Sequence, residues 1–466
     1  MRFLSHLLGL CALSVLSAAA PSSPNTELVE RGLVGGVLNV VDDTLSATVV
    51  GLLGSLRKAL DSGDRDKALD ILKKLKPTSK PKNVKEASSV LKIVANSKSK
   101  DIVEYSARLI ANGIVFGDTL DLFEYAKGLA TPENGSNNKN RNPSKAVYPN
   151  VLKCDAPYTL PEAKLRAAIY IPDTFTWGKK PPVILFPGTG STGFTTFRGN
   201  LIPLLTGVEW ADPVWVNVPE LLLGDAQVNA EYAAYALNYI ASATKRDTSV
   251  IAWSQGNIDV QWALKYWPST RKTTADHVAI SADYKGTILA NFVDITGVTN
   301  TPSVVQQEAG SDFIKTLRSN GGDSGYVPTT SLYSSFFDEV VQPQKGTGAS
   351  AYLLDARKVG VTNSEVQQVC SGKLAGSFYT HESMLANPLT FALVKDALTH
   401  KGPGKVSRLD LSKVCSTSLA TGLGLEDLLI TENSILIAAL SLVLYLPKVS
   451  EEPAVKQYAL KAAAKC

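Results

Sequence analysis

Ten consecutive residues constrain this chain more than any others. Thr248 to Trp253 is an apolar run of strand character, Ser254 follows it, and Gln255-Gly256-Asn257 opens an amphipathic helical stretch. A serine held between a strand and a helix sits on a sharp, strained turn, so the residues two before and two after it must be small. Here they are Ala252 and Gly256. The pattern is A-x-S-x-G in place of the usual G-x-S-x-G, and it keeps the steric reason for small residues. The helix that follows turns its positive end toward Ser254, which favours negative charge developing there. An ordinary Ser-Gln-Gly turn is the competing reading, and the strand before and helix after it argue against that.

The surrounding texture agrees. From about Ala146 onward, short apolar strands alternate with helical stretches, the signature of a parallel α/β sheet. Strands are expected at Val183–Phe186, Pro213–Val218, Thr248–Trp253, Val278–Ser281 and Thr330–Tyr333, with helices over Val228–Ala241 and Ile258–Tyr266. Residues 25–130 instead carry apolar residues at helical spacing, among them Ala68, Leu69, Ile71, Leu72 and Leu75 behind a candidate cap at Ser62. That region reads as a packing extension or pro-segment in which no chemistry is evident. Residues 131–150 are polar and rich in Pro and Asn, a linker with a basic stretch at Lys139-Asn140-Arg141. The expected organisation is a signal segment 1–20, a helical extension 21–130, the linker, and an α/β domain 151–466.

The signal reading rests on Arg2, the apolar run Phe3–Leu16, and Ser17-Ala18-Ala19-Ala20 before Pro21. Secretion into an oxidising compartment is the expectation. Of five cysteines, Cys11 falls in the signal segment, which leaves Cys154, Cys370, Cys415 and Cys466 for two disulfides in any of three connectivities. Their spacing suits neither a zinc site nor a redox CxxC, so no metal and no cofactor are expected. Asn134-Gly135-Ser136 is a glycosylation sequon in the polar stretch. A net charge of +4 gives no reason to expect nucleic acid or an anionic membrane surface as partner. The most apolar later segment, Ile435–Pro447, is shorter than the ~20 residues a membrane span needs and reads as a buried or interfacial helix. With 44% hydrophobic and 19% charged residues, disorder over the whole length is excluded.

A hydroxyl on such a bend needs a base, an acid to orient that base, and donors for an oxyanion. The first strand ends in Phe186-Pro187-Gly188-Thr189-Gly190-Ser191-Thr192-Gly193, whose glycines leave backbone N–H groups unshielded. This suits an oxyanion loop better than a phosphate loop, because no Lys-Ser or Lys-Thr follows. Outside the signal segment the histidines are His277, His381 and His400. The order in this fold class is Ser, acid, His. His277 leaves little chain for an intervening acid and reads as structural, and His400 lies in a polar loop. His381 is the preferred base. Asp338, just past the strand Thr330–Tyr333 and shielded by Phe337 and Val340, is preferred over Glu339 as its orienting acid.

These residues together resemble the fungal secreted lipases of the Candida antarctica lipase B-like family. The likeness runs from Val147 to Cys415 through PGTGSTG at 187–193, WSQG at 253–256, ADYKGT at 282–287 and LYSSFFDEVVQPQ at 332–344. The resemblance implies an α/β-hydrolase fold with a mostly parallel sheet behind a helical N-terminal extension. It puts nucleophile, acid and base on Ser254, Asp338 and His381. Oxyanion donors fall on the Thr189 main chain and hydroxyl and on the Gln255 main chain, and pocket residues on Trp253, Asp283 and Gln307. It also implies a Cys370–Cys415 disulfide. The family's partner for Cys154 is missing near Trp215, which points Cys154 to Cys466. The residue before His381 is Thr380 where the family has Asp, and the helical N-terminal region is absent from the family's model lipase.

The function expected is a secreted serine hydrolase of carboxylic esters, a triacylglycerol lipase or esterase. Its partner would be an ester or lipid substrate, met at a lipid–water interface. An apolar cleft for the acyl chain is expected around Leu436, Leu440, Val443 and Leu444, with Ile295 and Val298. Two other readings are an amide or peptide hydrolase on the same residues and a secreted binding protein with a degenerate hydrolase domain.

Overall fold

The computed structural model describes residues 45–97, 99–135, 140–290 and 300–461. The signal-like segment, Cys466, Ile295 and Val298 therefore lie outside the described residues. Seven strands form one sheet: β1 (Ile169–Tyr170), β2 (Pro182–Phe186), β3 (Asp212–Val216), β4 (Thr248–Trp253), β5 (Thr274–Ile280), β6 (Thr329–Tyr333) and β7 (Val361–Glu365). Their order is β1-β3-β2-β4-β5-β6-β7, parallel throughout except where β1 pairs antiparallel with β3. The chain is an α/β-hydrolase fold. β4 occupies the middle of the order, and β2 and β5, its direct neighbours, carry the loops that come to surround Ser254.

Side-chain alternation divides the apolar strands between two cores, as the pleat requires. Ile184 and Phe186 of β2 and Val250 and Ala252 of β4 pack on one face beneath the helices Ala226–Thr244 and Gly256–Tyr266. Val183, Leu185, Ile251 and Trp253 pack on the other, against Leu389, Leu393 and Val394 of Pro388–Thr399. Burial on both faces is why these strands read as continuous apolar runs.

A third core joins parts of the chain that are distant in sequence. Numbering the helices of eight residues or more, the N-terminal region forms α1 (Ala47–Asp61), α2 (Arg65–Lys74), α3 (Val84–Ala95), α4 (Ile102–Ala111) and α5 (Thr119–Ala126). The body helices already described are α6 (Ala226–Thr244), α7 (Gly256–Tyr266) and α8 (Pro388–Thr399), and α9 is Leu425–Leu444. The cap of α2 is Asp64, whose side chain accepts from the Lys67 N–H, while Ser62 ends α1. Leu56, Leu91, Leu109 and Leu122 of the N-terminal helices share one buried cluster with Leu428, Leu436 and Leu440 of α9. Polar contacts fix the seam. Asn433 Oδ1 accepts from Phe116 N (3.1 Å) and its Nδ2 donates to Phe116 O (2.9 Å), and Arg65 Nε donates to Val443 O (3.0 Å).

α9 is longer than the sequence suggested. At 20 residues it is the one helix among the described residues long and apolar enough to cross a membrane, yet most of it is buried inside the protein. The polar stretch 131–150 also departs from expectation. Asn134 is buried, its Oδ1 accepts from the Thr192 and Thr195 hydroxyls, and the Glu133 carbonyl accepts from Trp215 Nε1 (2.9 Å). The sequon asparagine thus faces the protein interior, because its amide completes the polar wall of the Thr192 turn, where a glycan acceptor would need solvent. Cys370 and Cys415 are disulfide-bonded. Cys154 is disulfide-bonded as well.

Asn433→Ala would leave the Phe116 N–H and C=O without their side-chain partner at the seam. We expect a loss of about 1–3 kcal/mol in unfolding free energy, measured by urea denaturation, with the denaturant slope unchanged.

Candidate active site

Ser254 ends β4 with φ of 54°, a left-handed conformation that a non-glycine residue adopts only under constraint. The constraint is visible. Its N–H donates to Ile280 O (3.0 Å), and Asn257 Nδ2 donates to both Ser254 O (3.0 Å) and Ile280 O (3.0 Å). Asn257 Oδ1 accepts from His277 Nε2 (3.1 Å). His277 is fully buried and burial pushes its imidazole down to about 3, so it stays neutral and braces the bend, the structural part expected of it. The small residues are needed for the reason inferred: a Cβ on Gly256 would lie 2.3 Å from Pro187 O, and one on Gly188 2.7 Å from Ser254 Cβ and 2.8 Å from the Trp253 ring.

His381 Nε2 lies 2.8 Å from Ser254 Oγ, and His381 Nδ1 lies 2.8 Å from Asp338 Oδ2. Because a carboxylate only accepts, Nδ1 carries the ring proton and Nε2 is left as acceptor for the serine hydroxyl. Asp338 is fully buried, and its other oxygen accepts from Val340 N (3.0 Å) and Val341 N (2.7 Å). The main chain of His381 is held as firmly. Its N–H donates to Glu339 Oε2 (3.0 Å), and its carbonyl accepts from Trp253 Nε1 (3.1 Å) and Ser281 Oγ (3.1 Å). Burial pulls the imidazole pKa down, but the charge and hydrogen bond of Asp338, with Glu339 beyond, more than offset it and hold it above the usual histidine value. His400 lies elsewhere, exposed beside Asp396.

The glycine loop after β2 closes over Ser254. Thr189 Oγ1 lies 2.7 Å from Gln255 Oε1 and 3.2 Å from Gln307 Oε1, and Gln307 Nε2 donates to Gln255 Oε1 (3.1 Å). Gly190 has φ of 72° and lies so close to α9 that a Cβ there would meet Ala438 Cα at 2.7 Å. A cavity of about 510 Å³, its open side included, adjoins Ser254 and His381. Thr189, Trp253 and Gln307 line it, with Thr287, Ala290, Val340 and Val341, Val304 of the short helix Pro302–Gln306, Ile435, Ala438 and Leu442 from α9, and Ile102 from α4.

Three placements differ from the sequence reading. Leu436, Leu440 and Val443 turn into the core shared with the N-terminal helices, with Leu444 partly buried beside them; the residues of α9 that reach the cavity, Ile435, Ala438 and Leu442, are one or two positions away. Asp283 is fully buried behind the cavity and is not part of its lining. Neither of its carboxyl oxygens has a hydrogen-bond partner among the described residues, and burial raises it to about 7. The N-terminal region, which showed no chemistry in the sequence, supplies Ile102.

The sequence reading also missed a buried acid shell behind His381. Glu382 and Glu432 are fully buried, and Glu432 Oε1 accepts from Thr380 Oγ1 (3.4 Å). Glu382 stands within electrostatic reach of both Glu432 and Glu339, the acceptor for His381 N–H. Burial raises all three carboxyl groups, Glu432 to about 8, and the charge of a neighbouring glutamate raises each further. Asp259, one turn into α7, is likewise buried, and its pKa is driven up by burial and by Asp283. No local pattern marks these residues, since acids on a helix, such as Glu432 and Asp259, or in a loop, such as Glu339 and Glu382, read as solvent-facing. Among the described residues no group of three His, Cys, Asp or Glu is arranged to hold a metal ion.

Known proteins are similar to this chain in sequence and fold. The lipase B of Pseudozyma antarctica is 35% identical over 247 residues, covering 52% of this chain and 69% of that relative. The crystal structure of Aspergillus fumigatus lipase B superposes with a TM-score of 0.80 at 42% identity, covering 88% of this chain and 99% of that one. The chain belongs to the lipase B family. It is a lipase-like carboxylic-ester hydrolase on the α/β-hydrolase fold. No family model matches it. A match to 88% of this chain is more than residues 151–466 can supply, so the likeness to the Aspergillus fumigatus lipase B extends into the N-terminal helices.

Gly188→Ala would push a methyl group into Ser254 Cβ and the Trp253 ring. Displacing a reacting group by about 1 Å costs on the order of 10²-fold in rate. We expect that loss in kcat toward a short p-nitrophenyl ester, with the circular dichroism spectrum unchanged.

Proposed function

We propose that this lipase B relative is a secreted triacylglycerol lipase or esterase working through Ser254, His381 and Asp338. The observation that carries the reading is the pair of 2.8 Å contacts that link Ser254 Oγ to His381 Nε2 and His381 Nδ1 to Asp338. Neutral His381 takes the Ser254 proton as Oγ attacks the ester carbonyl, and Asp338 holds the ring in the tautomer that leaves Nε2 bare. The negative charge that appears on the carbonyl oxygen is met by the Thr189 and Gln255 main-chain N–H groups and by the Thr189 hydroxyl, which turns to it from Gln255 Oε1. The imidazolium passes its proton to the leaving alcohol, and an acyl-enzyme on Ser254 remains. Water or a second alcohol, deprotonated by His381, releases the acyl group.

Supporting contacts surround this sequence of steps. Trp253 forms part of the cavity wall beside Ser254 and fixes the His381 carbonyl. Gln307 holds the Gln255 and Thr189 side chains. The largely apolar lining suits the hydrocarbon portion of a lipid ester. Secretion is supported by the Cys370–Cys415 disulfide, which persists in oxidising compartments, and by the signal-like opening of the sequence.

Ser254→Ala should lower kcat for ester hydrolysis on the order of 10⁶-fold and abolish labelling by a phosphonate probe; full turnover in that variant would overturn the reading. Thr189→Val, which keeps the main-chain donor and removes the hydroxyl, should cost up to about 10²–10³-fold in kcat.

The pH dependence follows from His381. Its protonated form cannot accept the serine proton, and its pKa is raised above 6.5. The kcat/KM profile should therefore fall as pH drops, with a midpoint on the alkaline side of 6.5, as measured by initial rates across a constant-ionic-strength buffer series.

A further inference from the structure

We propose that Ile102 of α4 is a specificity-determining residue: the N-terminal helices form a fixed wall of the ester-binding cavity and limit the bulk of the hydrocarbon group that enters it. The inference rests on the ester-hydrolase reading of Ser254 and adds which part of the chain selects the substrate. Ile102 opens α4, is 2% exposed, and lines the same cavity as Ser254 and His381. Opposite chain segments meet there. Ser106, one turn on from Ile102, donates from Oγ to Ile435 O (3.5 Å), which sets α4 alongside the Ile435, Ala438 and Leu442 stripe of α9.

The wall is anchored. The Asp101 side chain accepts from Val103 N (2.9 Å) and Glu104 N (2.8 Å), which fixes the turn that bears Ile102. Glu104 accepts from Lys100 N (3.1 Å) and Arg108 Nη2 (3.2 Å) and pairs with Arg57 of α1. Moving Ile102 out of the cavity would break these contacts together and expose the core beneath, so its side chain is a fixed boundary to whatever binds. Replacing it by alanine removes three carbons from that boundary, and pockets discriminate by roughly 10–200-fold per methylene.

The test uses the full-length secreted protein carrying Ile102→Ala, Ile102→Val or Ile102→Phe. Each is titrated with a phosphonate to count reactive Ser254. Each is then assayed on two ester series: p-nitrophenyl esters of increasing acyl length and branching, and butyrate esters of increasingly bulky alcohols. In one series Ile102→Ala should raise kcat/KM for the bulkiest member relative to the smallest by at least about 10-fold, with Ile102→Phe shifting the same ratio the other way. The series that moves shows which half of the ester meets the wall. Ratios within twofold of the parent in both series, with Ser254 fully titrated, would overturn the inference and leave the hydrolase reading intact. If Ile102→Ala does not fold, Ile102→Val decides by a smaller shift of the same sign. Failure of the parent protein to titrate at all would overturn the hydrolase reading and this inference with it.

Discussion

The left-handed backbone at Ser254 is the constraint on which the rest depends. A non-glycine residue at φ near 54° persists only if its surroundings over-determine it. Here β4 ends between the β2 and β5 loops, the Ile280 carbonyl takes the serine N–H, and Asn257 ties both carbonyls together with His277 behind it. The close approach also requires residues without side chains. Gly188 and Gly256 let the β2 loop pass within contact of the bend, which brings Thr189 beside the hydroxyl. The serine is thus lifted out of the sheet and presented to the loops carrying Asp338 and His381.

The second organising element is α9. Its apolar character on all sides follows from its position, since one face packs on α1–α5 and another lines the cavity. The glycine loop presses on it at Ala438, where a small residue is needed beside Gly190. The N-terminal helices, α9 and the oxyanion loop are therefore coupled by direct packing, and the cavity takes its shape from segments more than 300 residues apart in sequence.

Electrostatics behind His381 take an uncommon form. Asp338 is satisfied by two main-chain N–H groups and the imidazole, whereas Glu339, Glu382 and Glu432 are held toward their protonated forms by burial. Their neutral forms spare the interior most of the cost of three carboxylates in a low-dielectric site. Glu339 still offers one oxygen to the His381 main chain, so the shell fixes the loop that bears the ring. The threonine before His381 fits this setting: Thr380 donates a hydrogen bond to Glu432, where an acid would add a fourth carboxyl group.

Much of the fold was legible because its determinants are local. β2 and β4 were read within a residue of where they lie, since strands buried on both faces must be apolar throughout. β1 and β7 were missed, one being two residues long and the other the polar run Val361–Glu365. Ser254, the glycine loop, His381 and Asp338 were legible because a tight bend, an unshielded loop and the order of acid and base each leave a mark in the sequence. The N-terminal wall at Ile102, the face of α9 that meets the cavity, the inward turn of Asn134 and the glutamate shell were decided only by tertiary packing. The reason is physical: a helix with apolar residues all round does not encode which side meets which neighbour, and a polar side chain's fate depends on partners tens to hundreds of residues away.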